Sequence, residues 1–90
     1  MIGKIVSIMT VTGELIGTLE EKRPDSYLIK SPRIISGVPG GEIAFQQSIT
    51  LTGKICPDRI EINRRHVVYM LEAEEQFAEY YRTQMPGIQL

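Results

Sequence analysis

Hydrophobic and polar positions alternate along most of this 90-residue chain, and the period changes only near its end. Residues Gly3 to Val11 are rich in β-branched side chains, Thr12-Gly13 follows as a turn signal, and a second run extends from Glu14 to Lys22. The pair predicts a hairpin. In its second arm Leu15, Gly17 and Leu19 alternate with Ile16, Thr18 and Glu20, which makes one face apolar and the other polar toward its end. Arg23-Pro24-Asp25-Ser26 reads as a second turn, in which proline sets φ and Asp25 or Ser26 bonds nearby backbone. A third strand follows from Tyr27 to Ile35, and Pro32, which has no N–H for a ladder, puts that part at an edge or a bulge.

Ser36-Gly37-Val38-Pro39-Gly40-Gly41 predicts a loop. The alternation beyond it is the cleanest in the chain, with Ile43, Phe45, Ile49 and Leu51 on one face and polar residues opposite, and only Gln47 breaks it. After Cys56-Pro57-Asp58, Ile60 and Ile62 alternate with Arg59, Glu61 and Asn63; Arg64-Arg65 is a turn and His66 to Leu71 a last strand. Ala73, Phe77, Tyr80, Tyr81 and Gln84 then recur at helical spacing until Pro86-Gly87. This pattern predicts a mainly β domain over residues 1–71, a short amphipathic helix over 72–85 packed on it, and a tail at 86–90. Glu72, Glu74 and Glu75 fall in the expected first turn of that helix, where its dipole favours negative charge.

Size and cysteine content sharpen the picture. A chain this short buries only about 60 to 65% of the surface it exposes when unfolded, so its core is thin. A single cysteine, Cys56, excludes an internal disulfide, and with the one histidine, His66, it is too few for a closed tetrahedral metal site. Oligomerisation is the remaining way to recover the deficit. No apolar run approaches the roughly 18 residues of a membrane span, and the reading is of a cytoplasmic chain without cofactor. The net charge of −1 conceals a body of +2 over residues 1–65 and a tail of −3 over 66–90, which permits a local basic patch and no more.

Catalysis finds no support in the pattern. Cys56 and His66 lack a third orienting group. Glu20 and Glu21 are neighbours on a strand and are expected on opposite faces. The glycines from Gly37 to Gly41 lack the Lys-Ser/Thr ending of a phosphate loop.

Short strands with polar turns fit a small barrel or a sandwich equally. Two stretches go further. The run from Val6 and Ile8 through Thr12-Gly13 and Ile16-Gly17-Thr18-Leu19 to Tyr27-Leu28-Ile29 resembles the first motif of Sm-like (LSm) proteins, and Ile62-Asn63-Arg64-Arg65-His66-Val67-Val68-Tyr69-Met70 is similar to the second. The end of the chain also looks like small Sm-like proteins of marine phages. The resemblance implies a five-stranded, strongly bent, SH3-like barrel whose fourth strand pairs with the fifth of a neighbouring copy, closing a homo-oligomeric ring. It implies single-stranded RNA, or DNA, as ligand. The family's RNA-binding side chains do not carry over: its Asp falls at Arg23, its stacking residue at Asp25, its Asn at Tyr27, and its Arg-Gly pair at Asn63-Arg64.

The residues themselves offer a substitute set. Asn63, Arg64 and Arg65 share a turn that a ring would repeat about its axis, and arginine's planar fork suits phosphate. Tyr27, with Arg23 and Lys30 near it in sequence, supplies a stacking platform. Against this, turn arginines are usually solvated and a tyrosine at a strand start usually packs. The rival expectation is a structural or protein-binding barrel, such as a phage assembly module, with no nucleic acid at all. Phe77, Tyr80 and Tyr81 are expected to pack on the barrel, not to dock a partner.

Overall fold

The computed structural model describes residues 1–37, 43–46, 52 and 57–84. Of the loop expected at 36–41, Ser36 and Gly37 instead end a strand, paired with Ala44 and Ile43; its remainder at 38–41, the second half of the alternating run at 47–51, Cys56, the Pro86-Gly87 stop and the tail lie outside the described residues.

Among the described residues six strands, a 3₁₀ turn and one helix follow in order: β1 (Ile5–Thr10), β2 (Gly13–Lys22), β3 (Ser26–Gly37), β4 (Ile43–Gln46), β5 (Arg59–Asn63), the turn Arg64–His66, β6 (Val67–Glu72) and α1 (Glu75–Gln84). All pairings are antiparallel in one sheet, ordered β4-β3-β2-β1-β6, with β5 also on β3. Strand β3 is long enough to serve two partners in line: Ser26 to Lys30 pair with β5, and Ile34 to Gly37 with β4. Strands β5 and β6 sit at opposite sides of the β3-β2-β1 core, yet only the three-residue turn separates them. That sheet must therefore curl until its sides meet. The turn is fixed at both sides, because the Val11 amide donates to the His66 carbonyl (3.1 Å) and the Arg64 amide to that of Asp25 (2.9 Å).

Two bulges bend the β2–β3 pair, beside a further register shift between β1 and β6 at Met9/Thr10. Between the pairs Ile16↔Arg33 and Thr18↔Lys30 β3 carries the extra residue, and between Leu19↔Ile29 and Glu21↔Leu28 β2 does. Pro32, expected at an edge or a bulge, lies in the first, at the point where β3 changes partner from β5 to β4. Neighbouring Ser31 adopts a left-handed conformation, φ 51°. The second bulge corrects an expectation. Glu20 meets Arg59, while Glu21 meets Arg23, which also bonds Glu61; Arg59 and Glu61 share a face of β5, so both carboxylates serve one side of the sheet.

The concave face encloses Val6, Ile8, Leu19 and Ile29, all fully buried, with Leu15, Tyr27, Ile60, Ile62, Val67 and Met70 packed against them. On the convex face Ile16 and Tyr81 are buried together, flanked by Ile5, Ile35, Phe45 and Ala73. Strand β2 is thus covered on both faces, which is why Ile16 breaks the simple apolar-in, polar-out reading. Helix α1 is shorter than expected: Glu72 ends β6, and Glu74 precedes the helix, its carbonyl accepting from the Phe77 and Ala78 amides. Only Glu75 of the three glutamates stands in the first turn. The helix docks through Ala78 and Tyr81, and the Tyr81 hydroxyl donates to the Ser31 carbonyl at 2.8 Å. Tyr80 tilts against Phe45 with ring centroids 4.9 Å apart and stays 40% exposed.

Candidate nucleic-acid interface

Two turns that are 40 residues apart in sequence are brought side by side by the β3–β5 register, which sets Ser26 opposite Asn63 and Tyr27 opposite Ile62. One is Arg23-Pro24-Asp25 between β2 and β3; the other is Arg64–His66 between β5 and β6. Asn63 caps the second, accepting the Arg65 amide on its side-chain oxygen at 2.9 Å. The cap holds the backbone so that Arg64 folds back across the first turn. Its Nη1 donates to the carbonyls of Pro24 (3.2 Å) and Arg23 (3.3 Å), and its guanidinium carbon lies 4.9 Å from the centre of the Tyr27 ring. A cation over an aromatic face at that range gains about 0.5 to 1 kcal/mol at an exposed site. Tyr27 is half-buried and also touches the concave core, so its ring is both packing element and floor for Arg64.

The six expected site residues do not all meet. Tyr27, Asn63, Arg64 and Arg65 share one end of the sheet. Arg23 is at the same end but is committed elsewhere: it donates to Glu21 at 3.0 Å and to Glu61 at 3.1 Å. Its hydrogen bonds to Glu21 and then Glu61 raise its pKa above the ordinary arginine value, while those from Ser26 and then Arg23 hold Glu61 below the ordinary glutamate value. Lys30 is three residues from Tyr27 on β3 and so faces the other side, opposite Arg59 and Thr18 and close enough to Glu20 to feel its charge. There Arg59 and Glu20 are paired, and their hydrogen bond raises the arginine and lowers the glutamate. Arg65 is exposed and has no ion-pair partner among the described residues.

What this surface offers chemically is one oriented guanidinium plane, a second, exposed guanidinium next to it in the turn, and backbone held by a cap. Sequence alone did not expose Glu61 as a group that neutralises Arg23, because their meeting depends on the β3–β5 register. The alternation of Glu61 with Ile60 and Ile62 was the available signal that Glu61 points outward. His66 is exposed in the turn, and no group of three potential metal ligands occurs among the described residues. No helix among them is long and apolar enough to cross a membrane. Comparison with protein-family models and with curated proteins finds no match to either.

Proposed function

We propose that this chain is a non-catalytic, Sm-like barrel that assembles with copies of itself and binds single-stranded RNA, with single-stranded DNA as the weaker ligand. The observation that carries the reading is the Arg64 guanidinium laid on Tyr27 with Arg65 beside it. Guanidinium planes accept both an unstacked base and a phosphate, and single-strand recognition rests on that combination. Self-assembly has its own support. Among the described residues β5 pairs only with β3 and β6 only with β1, leaving each with an unpaired edge, and β6 exposes Val68, Tyr69 and Leu71. Exposed apolar edge strands in a small domain call for a covering partner, and β5 of one copy against β6 of the next would satisfy both edges while repeating Arg64 and Arg65 around the assembly.

Labelled single strands incubated with the protein at low salt should be retarded, and released as salt rises, because the affinity comes from displaced counterions. Arg65→Glu is the cleaner variant, since Arg64 also braces a turn; it should abolish retardation with an unchanged unfolding midpoint. Light scattering of the free protein should give a mass several times that of one chain. A second reading, a protein-binding barrel without nucleic acid, is favoured by the neutralisation of Arg23 and the separation of Lys30. It predicts no retardation at any salt and indifference to Arg65→Glu.

A further inference from the structure

On the convex face, at the end of β6 away from the Arg64 turn, the sheet and the start of α1 enclose a cleft of about 230 Å³. Its apolar lining is Ile16, Ile35, Phe45, Leu71, Ala73 and Phe77. Among the described residues the charged groups that line it are Glu14, Glu72 and Glu74, with no lysine or arginine. Ser7 donates to Glu14, and Gln76 to Glu74, so two of the three carboxylates are oriented while Glu72 stands exposed at the end of β6. From this geometry we infer that the cleft receives a lysine or arginine side chain of a partner polypeptide.

The argument is one of shape and charge together. The volume is below the roughly 300 Å³ at which sites for drug-sized molecules begin, and suits one long side chain. A small metal cation keeps its hydration shell and gains little from an aliphatic floor. An aliphatic ligand gains nothing from the carboxylates, and nucleic acid is repelled by them. A basic side chain meets both demands, because its methylene stem lies on apolar surface while the charged head stays at the rim. The site is independent of the nucleic-acid reading, since it shares no residue with the Tyr27 and Arg64 surface.

The test is a titration, followed by NMR, with Nα-acetyl-lysine methylamide and with its norleucine and glutamate counterparts. The lysine probe should shift Phe45, Phe77 and Leu71 resonances saturably, and norleucine should bind at least about fivefold more weakly, the equivalent of one ion pair of about 1 kcal/mol. The glutamate probe should not bind. Changing Glu14, Glu72 and Glu74 together to Gln should bring the lysine probe down to the norleucine level, and Glu72→Gln alone, at an exposed strand end, serves if the triple variant does not fold. Equal binding of lysine and norleucine, no shift with lysine, or binding of spermidine in place of lysine each overturns the proposal; the last would make the cleft a free polyamine site.

Discussion

At the scale of single residues, Gly17 and Tyr81 show where tolerance ends. Gly17 is buried in β2, and a Cβ added there would lie 2.5 Å from Cγ2 of Ile29 and 3.1 Å from the Lys30 carbonyl oxygen. Ile29 is fully buried and cannot retreat. Gly17→Ala is therefore expected to cost about 1 to 3 kcal/mol by overpacking, read as a lower urea midpoint with an unchanged slope. The glycine is required by close packing, which its place in an alternating apolar run left unspecified. Tyr81 is 1% exposed and spends its hydroxyl on the Ser31 carbonyl, next to a left-handed backbone. Tyr81→Phe leaves that carbonyl without its donor and should cost about 1 to 3 kcal/mol, again read from urea unfolding. Loss of more than this would mean that the hydroxyl also holds the Ser31-Pro32 bulge in place.

At the scale of elements, the 3₁₀ turn is the part on which the proposed surface depends, and its geometry is set by one side chain. Asn63→Ala removes the acceptor for the Arg65 amide and should lower stability by about 0.5 to 2 kcal/mol, while also freeing Arg64 from Tyr27. Cross-peaks between the Arg64 side chain and the Tyr27 ring would then weaken or vanish. Their persistence would show that the carbonyls of Arg23 and Pro24 alone position Arg64. Much of the element order was legible in the sequence: the two-residue turn at Thr12-Gly13, the Ile60 and Ile62 alternation and the helical recurrence after Ala73 each mark a real boundary to within three residues, and Pro32 marks the bulge inside β3. The bulges were not, because a period of two is lost locally when a strand inserts a residue, and Glu20 and Glu21 consequently share a side. Nor was the site, since the pairing of Arg23 with Glu61 joins segments more than 30 residues apart, although the odd spacing of Tyr27 and Lys30 on one strand already set them on opposite faces.

At the scale of the whole molecule, the ionisable groups define a stability window with two limbs of different origin. Glu20 and Glu61 titrate below the ordinary glutamate value of 4.5, the first held by a hydrogen bond from Arg59 and the second by Ser26 and Arg23. As pH falls past 4.5 the unfolded chain takes up protons before the folded one does, so stability declines, and the decline continues through the lower folded values. Glu61 is exposed and Glu20 half-buried beside solvent-exposed Arg59, so this limb should be shallow and should shrink further in salt. Tyr81 behaves oppositely. Burial raises it above its ordinary value of 10.0, so above that pH the unfolded chain ionises first and stability again falls, this time insensitively to salt because the group is enclosed. Urea midpoints taken between about pH 3 and pH 11 should thus form a plateau with a salt-sensitive acid edge and a salt-insensitive alkaline edge. Glu61→Gln should flatten only the first edge, and Tyr81→Phe only the second. An alkaline edge unchanged in Tyr81→Phe would place the high-pH instability in other groups and leave the docking of α1 outside the pH response.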